Sequence, residues 1–163
     1  MKKERGFSLI ELLIVVAIIL IIAAIAIPNL IRSKIAANEA SAVASSRTVN
    51  TAEIVFSSTY NTTTVFSATL SGLGDGGTAA NCAGTTTVPT STAACLIDSA
   101  LENATQTAKS GYLFTYTPVA GSYALTSGPT ALNSTGVRYF YTDQTAVIRA
   151  NGGAAASNTS SPI

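Results

Sequence analysis

The strongest constraint on the fold is a long apolar run close to the N-terminus. Residues 12–27, LLIVVAIILIIAAIAI, contain no polar side chain. With the apolar residues on either side, the run reaches the roughly 20 residues that a helix needs to cross a bilayer. One acid, Glu11, lies at its start. A carboxylate in a membrane helix costs free energy unless it has a partner.

Three interpretations of this run compete. A secretory signal peptide has a basic start, an apolar core and small residues at its cleavage site, and Ala23, Ala24 and Ala26 fit that last feature. The second interpretation is a permanent single-pass anchor. Basic residues flank both ends of the run, so the charge bias only weakly favours a cytoplasmic N-terminus. The third interpretation follows from the order of the N-terminal residues.

That order is specific. A basic leader, MKKER, ends at Gly6 and is followed by Phe7 and then by SLIELL. Glu11 is the fifth residue after Gly6, and Pro28 is the twenty-second. Over residues 6–28 the sequence closely resembles the class III signal of type IV pilins and of type II secretion pseudopilins.

The resemblance implies processing and assembly. A membrane-embedded prepilin peptidase would remove residues 1–6 by cutting between Gly6 and Phe7, and would N-methylate Phe7. Gly suits this position because the absence of a Cβ lets a protease approach the backbone. During assembly, Glu11 would attract the amine of Phe7, its own or that of a neighbouring copy.

The resemblance also implies partners and a location. The partners are further copies of the chain in a helical homopolymer, the prepilin peptidase, and an inner-membrane assembly platform with a cytoplasmic ATPase. The chain would lie in the inner membrane of a bacterium before assembly and in a cell-surface filament, a pilus, afterwards.

The apolar frame continues into an amphipathic stretch, so we expect one helix from about residue 7 to about residue 58. Residues 7–30 would form its transmembrane and polymerisation half, and residues 31–60 its amphipathic half. Pro28 lacks an N–H and should kink or loosen the helix. In assembled filaments, the resemblance implies, helical hydrogen bonds are lost just before it, here at Ala23–Ala26. An apolar row recurs every seventh residue and a polar row borders it: Pro28, Ile35, Ala42, Val49 and Phe56, and Arg32, Glu39, Ser46 and Glu53.

Residues 61–110 are predicted to form a variable loop between the helix and a sheet, with a short helix inside it. Ser91 or Thr92 is a candidate N-cap for that helix. In an exported domain, Cys82 and Cys95 are expected to form a disulfide, the alternative being two free thiols. The glycine-rich stretch 72–77, GLGDGG, has no strand, helix or Lys around it to make a phosphate loop, so we interpret it as a flexible turn.

Residues 111–150 predict an antiparallel sheet of four strands. The runs YLFTYTP and SYALTS alternate around a turn at Ala120–Gly121, and GVRYFYT and TAVIRA flank Asp143–Gln144. One sheet face must be covered, and the apolar row of the long helix is available to cover it. The tail, 151–163, is expected to be flexible. The fold class is therefore α+β, and the resemblance implies the pilin fold.

Composition argues against several function classes. Charged residues make up 10% of the chain and the formal net charge is +1, so no basic stripe for nucleic acid is evident. Without His, a Ser-His-Asp triad cannot be built, and we expect neither an enzyme nor a cofactor. The acids Asp75, Asp98, Glu102 and Asp143 are interpreted as solvated surface groups. No metal site is expected, because only one acid follows Glu102 and calcium needs several oxygen ligands. Possible glycosylation sequons begin at Asn61, Asn103, Asn133 and Asn158.

Three hypotheses follow for the function. The first is a structural subunit that polymerises into a type IV pilus-like extracellular filament. The second is a pseudopilin of a type II secretion system, which the scarcity of C-terminal acids makes less favourable, since major pseudopilins carry a calcium site there. The third is a membrane-anchored surface-binding module, which predicts a stable monomer in membranes. Long detached filaments favour the first, whereas loss of enzyme secretion without filaments favours the second.

Overall fold

The computed structural model describes residues 7–60, 65–77, 82 and 88–163. The chain divides into two compact units, Met1–Lys34 and Ile35–Ile163. Helix α1 (Leu9–Tyr60) is common to both. The other elements belong to the second unit: α2 (Leu70–Leu73), α3 (Ser99–Glu102), a 3₁₀ turn (Asn103–Thr105), β1 (Tyr112–Val119), β2 (Ser122–Pro129), β3 (Arg138–Asp143), β4 (Arg149–Gly152) and β5 (Ser161–Pro162).

The first half of α1 is helical throughout, including the turns around Pro28. Long straight-chain and alanine residues favour the helical conformation here. The helix begins at Leu9 and ends at Tyr60, within two residues of the predicted limits. The loss of hydrogen bonding before Pro28, expected in an assembled filament, stays a prediction.

The sheet is antiparallel, with its strands in the order β1-β2-β3-β4-β5. It has five strands rather than the four expected, because the tail returns and Ser161 pairs with Ala150. The hairpin after Asp143 is present, but β4 begins at Arg149 and not at Thr145. Ala146 closes a turn there, with φ +59° and its N–H donated to the Asp143 carbonyl.

The core lies between the inner face of the sheet and the second half of α1. Ala42, Val49 and Phe56 of the predicted apolar row are buried there, as the seven-residue spacing predicts. The sheet contributes the side chains that alternate inward along its strands: Tyr112, Phe114, Leu125 and Phe140. Burial of this apolar surface is the main stabilising term of the second unit. The α+β class, with a long helix on an antiparallel sheet, is therefore confirmed.

The connecting segment differs from its prediction. The helix begins at Ser99, with Asp98 as N-cap, and not at the predicted Ser91 or Thr92. Residues 94–97 donate their N–H groups to carbonyls of residues 72–74, which excludes a helix there. Cys95 has φ +57° and forms the predicted disulfide with Cys82.

The disulfide generates a prediction about stability. Replacing both cysteines (Cys82→Ser with Cys95→Ser) should lower the free energy of unfolding by about 3 kcal/mol. A bridge that closes a loop of about 14 residues removes roughly that much chain entropy from the unfolded state. Guanidinium unfolding of the full chain in detergent micelles measures the change. Reductant should lower the stability of the wild type by the same amount and should not affect the double variant. The prediction is contradicted if neither the double substitution nor reductant shifts the unfolding midpoint relative to the untreated wild type.

Candidate functional site

The described residues of the first unit form a helix with an exposed apolar surface. Among its described residues, 7–34, none is buried, and Leu9 is 76% exposed. The helix has an 18-residue window of mean hydropathy 3.3, which is apolar and long enough to cross a membrane. A signal sequence near an N-terminus would pass the same test. An exposed apolar surface of this size is typical of a site that contacts a membrane or another protein.

Glu11 has a partner at the start of this helix. Its Oε2 accepts the backbone N–H of Ser8 at 2.9 Å, while the Ser8 carbonyl accepts the N–H of Leu12 at 3.3 Å. Ser8 is thus the N-cap residue, and Glu11 is the third residue of the helix. A glutamate at this position that reaches back to the N-cap N–H is half of a capping box. The Ser-x-x-Glu pattern of residues 8–11 is the sequence signal for this cap.

The capping box separates the processing site from the helix. Phe7 and Ser8 precede the helix, and the Phe7 side chain is 83% exposed. Gly6 lies outside the described residues. Cleavage between Gly6 and Phe7, methylation of Phe7 and pairing of Glu11 with a Phe7 amine therefore stay predictions. In this uncut chain, the Glu11 carboxylate already accepts a backbone N–H.

The remaining predicted sites are scattered over the second unit. Asn103, Asn133 and Asn158 are exposed, and the amide of Asn103 donates to the carbonyl of Ser99 at 2.8 Å. Asn133 lies in a turn with φ +63°. Asn61 falls outside the described residues. Glycosylation of any of these stays a prediction.

Sequence reasoning missed the polar groups that tie α1 to the sheet. Glu39 was expected to border the apolar row, but it is buried beside β3. Its Oε1 accepts the N–H groups of Val137 and Arg138 at 2.9 and 3.1 Å, and its Oε2 accepts from Arg138 Nε at 2.8 Å. Charge-assisted hydrogen bonds of this kind are the strong ones. Only the tertiary structure brings these partners together, from positions almost a hundred residues apart.

Glu53, from the same row, is fully buried. It accepts the O–H of Tyr116 on β1 and, at 3.1 Å, the N–H of Ser67 in the connecting segment. The Tyr116 O–H also approaches the Ser67 carbonyl at 2.8 Å. One helix side chain therefore joins the sheet to the segment that follows the helix.

Asn50 provides a third anchor. Its amide donates to Thr142 Oγ1 on β3 at 2.9 Å, and its carbonyl oxygen accepts the O–H of Tyr123 on β2 at 2.9 Å. Every one of these groups is buried. An unsatisfied buried polar group costs about 1–3 kcal/mol, so sliding α1 along the sheet would be opposed at all three anchors.

The pKa values of the two buried glutamates of α1, Glu39 and Glu53, are shifted in opposite directions. Burial alone would raise the pKa of Glu39, but the N–H groups of Val137 and Arg138 and the Arg138 guanidinium outweigh it, so the pKa is lowered. For Glu53, burial raises the pKa and the bonds from Tyr116 and Ser67 only partly offset it. Burial and the neighbouring Glu53 also raise the pKa of Tyr116.

One of the acids that were interpreted as solvated surface groups, Glu102, is buried. Glu102, interpreted as a solvated surface acid, is 3% exposed and accepts two backbone N–H groups. Asp98 instead pairs with Lys109 at 3.3 Å on the surface, where an ion pair contributes little stability. Within the part of the chain that the structure describes, no three His, Cys, Asp or Glu residues come together as a metal site.

Two comparisons with known proteins gave a match, and the family model is placed on the N-terminal segment. Residues 1–27 match the family model described as the prokaryotic N-terminal methylation motif. The chain is 56% identical over 39 residues to a curated protein, the type IV wide pilus major component PilA4 of Thermus thermophilus. That alignment covers 24% of this chain and 30% of the length of that protein. No solved structure matches the chain.

The anchors generate a prediction about pH. Glu39→Gln should lower stability most above pH about 5, because the ionised Glu39 contributes stability that is lost as the pH falls through its lowered folded-state pKa. Glu53→Gln should show the opposite trend. The raised pKa of Glu53 means that its ionised form costs stability as the pH rises through that value. Thermal unfolding of the full chain in detergent between pH 3 and 8 measures both. Parallel curves for the two variants would contradict the prediction.

Proposed function

We propose that this chain is a type IV pilin-like structural subunit that polymerises into an extracellular filament through its N-terminal helix. The observation that carries the proposal is the N-terminal methylation motif at residues 1–27, which leads directly into the uncovered apolar surface of α1. The similarity to a protein named as a wide pilus component supports the same function. The role is structural, not catalytic.

The physical argument starts from the uncovered surface. Apolar side chains lie on every side of α1 between Leu9 and Ile27, so a single neighbour on one side would leave the rest in water. A bilayer surrounds such a helix before assembly, and copies of the same helix surround it afterwards. Transfer from lipid to a bundle of copies keeps the surface dry throughout. Repeated head-to-tail contacts between identical subunits then build an open helical polymer.

Glu11 gives the bundle its register. Cleavage after Gly6 creates a positive amine on Phe7, one helical turn from Glu11. A carboxylate and an amine that enter an apolar bundle offset the cost of burial only if they pair. A subunit displaced along the axis leaves one of them unpaired, so the pair selects one position. The amine competes with the Ser8 N–H for the same carboxylate.

Processing and location follow from this proposal. A prepilin peptidase in the inner membrane cuts between Gly6 and Phe7 and methylates Phe7. The assembly platform with its cytoplasmic ATPase then extracts the subunit into the growing filament at the cell surface. A pseudopilin of a secretion apparatus shares these steps, and differs in that its deletion stops enzyme secretion. The name of the curated relative favours the pilus.

Assembly is tested by two substitutions at one position. Glu11→Gln keeps an oxygen that can accept the Ser8 N–H, because glutamine also serves in a capping box, but it removes the charge. Glu11→Ala removes both. We expect both variants to enter the membrane and to lose filaments, at least tenfold by electron microscopy and by shearing of surface protein. Filaments of Glu11→Gln at the wild-type level would contradict the charge-pairing mechanism. Helix content, measured by circular dichroism, distinguishes loss of the helix cap from loss of the charge.

Processing is tested at Gly6. Gly6→Val should leave the precursor uncut, because its branched side chain blocks the approach of a protease to the peptide bond. Mass spectrometry of the N-terminal peptide should find N-methylated Phe7 in the wild type and residue 1 or 2 in the variant. Lys3→Gln is the control and should be cut normally. A wild-type N-terminus other than Phe7 would contradict the proposal.

A further inference from the structure

The glycine-rich stretch 72–77, predicted to be a flexible turn, forms a turn that closes around a buried carboxylate. Glu102 Oε2 accepts the backbone N–H of Asp75 at 3.0 Å, and Glu102 Oε1 accepts that of Gly77 at 2.6 Å. The stretch therefore closes over the end of α3. Neither the motif nor Glu102 has a part in the proposed polymerisation.

The carboxylate of Asp75 accepts the same Gly77 N–H as Glu102 does. Asp75 Oδ1 lies 3.0 Å from the N–H of Gly77, which Glu102 also accepts. Two carboxylates that share one N–H repel each other when both are ionised. Lys109, the cation close to α3 in sequence, lies against Asp98. Tyr116 lines the cleft above Glu102, but its O–H is donated to Glu53.

The backbone of the stretch fits this carboxylate closely. A Cβ on Gly74 would lie 2.8 Å from Glu102 Cδ, so only glycine leaves room for the side chain. Gly77 has φ +78°, in the region that glycine adopts without strain. Gly76 donates its N–H to Ser71, and Gly74 accepts the N–H of Cys95. The contact between Glu102 and this stretch thus also positions the disulfide-bonded Cys95.

We propose that Asp75 and Glu102 form an acid-responsive clasp on the connecting segment. When Glu102 takes up a proton from solvent, its carboxyl group no longer repels the Asp75 carboxylate, and residues 74–77 are held against α3. With both groups ionised, their repulsion loosens the same contact. The clasp belongs to the second unit and does not depend on the proposed polymerisation.

The direction of titration agrees with this geometry. Burial raises the pKa of Glu102, the Asp75 N–H lowers it, and a hydrogen bond with the Asp75 carboxyl and the charge on Asp75 raise it again. The net pKa is raised. A raised folded-state pKa gives stability that is fully present below the ordinary value of about 4.3 and is lost as the pH rises through the folded-state value.

Amide exchange in the full chain, measured by NMR in detergent micelles, tests the clasp. The protection factor of the Gly77 amide should rise about threefold or more between pH 8 and pH 4, because the stability that comes from protonated Glu102 is fully present only below the ordinary pKa of about 4.3. Asp75→Asn should reduce this rise, because it removes the charge on Asp75 while the burial of Glu102 remains. The variant keeps both N–H bonds to Glu102. Glu102→Gln should give protection that does not change with pH.

Asp143→Asn is the matched control. Asp143 also accepts the N–H of the residue two positions later, Thr145 at 2.9 Å, but no second carboxylate shares that group. This control should keep the wild-type rise at Gly77. The clasp is overturned if Gly77 protection in the wild type does not change with pH, if Asp75→Asn keeps the full rise, or if Asp143→Asn loses it. Should Glu102→Gln fail to fold, the comparison of Asp75→Asn with Asp143→Asn still decides.

Discussion

Burial of one face of α1 against the sheet is the interaction on which the second unit depends. Ala42, Val49 and Phe56 fill the space over the inward side chains of β1, β2 and β3. Pairing between these strands satisfies their backbone hydrogen bonds but does not cover their inner face. Without the helix, that face would be exposed to water. Because α1 also forms the apolar first unit, one helix must be stable in two environments, a non-aqueous one and a water-exposed one. Its seven-residue apolar row begins to be buried only in the second unit.

Polar anchors make this packing specific. Apolar contacts alone tolerate sliding, whereas Glu39, Asn50 and Glu53 each require partners at one position on the sheet or on the connecting segment. The partners of Asn50 and Glu53 are buried or partly buried, so a displaced helix would leave several polar groups unsatisfied at once. The same device, a carboxylate that accepts backbone N–H groups, recurs at Glu102 and at Glu11.

The N-terminal site was predictable because its information is local. Gly6, Phe7, Glu11 and Pro28 lie at fixed separations along the sequence, and the family model covers the first three of them. The short helix at Ser99 was misplaced because hydrogen bonds between residues 94–97 and 72–74 override the local propensity. The fifth strand was missed for a related reason. Ser161 and Pro162 have no strand signal of their own and join the sheet only because β4 offers them an edge.

The amino-acid sequence alone was enough to predict the class of fold, the long helix and its apolar row, the strand alternation, the disulfide and the N-terminal motif. Each of these depends on periodicity or on residue types at short separations. Only the tertiary structure decided which acids are buried. Glu39, Glu53 and Glu102 look like ordinary polar residues in the chain, and their partners lie 14 to 99 positions away. Burial of a charge depends on hydrogen-bond donors that folding assembles around it, and no local pattern specifies those donors.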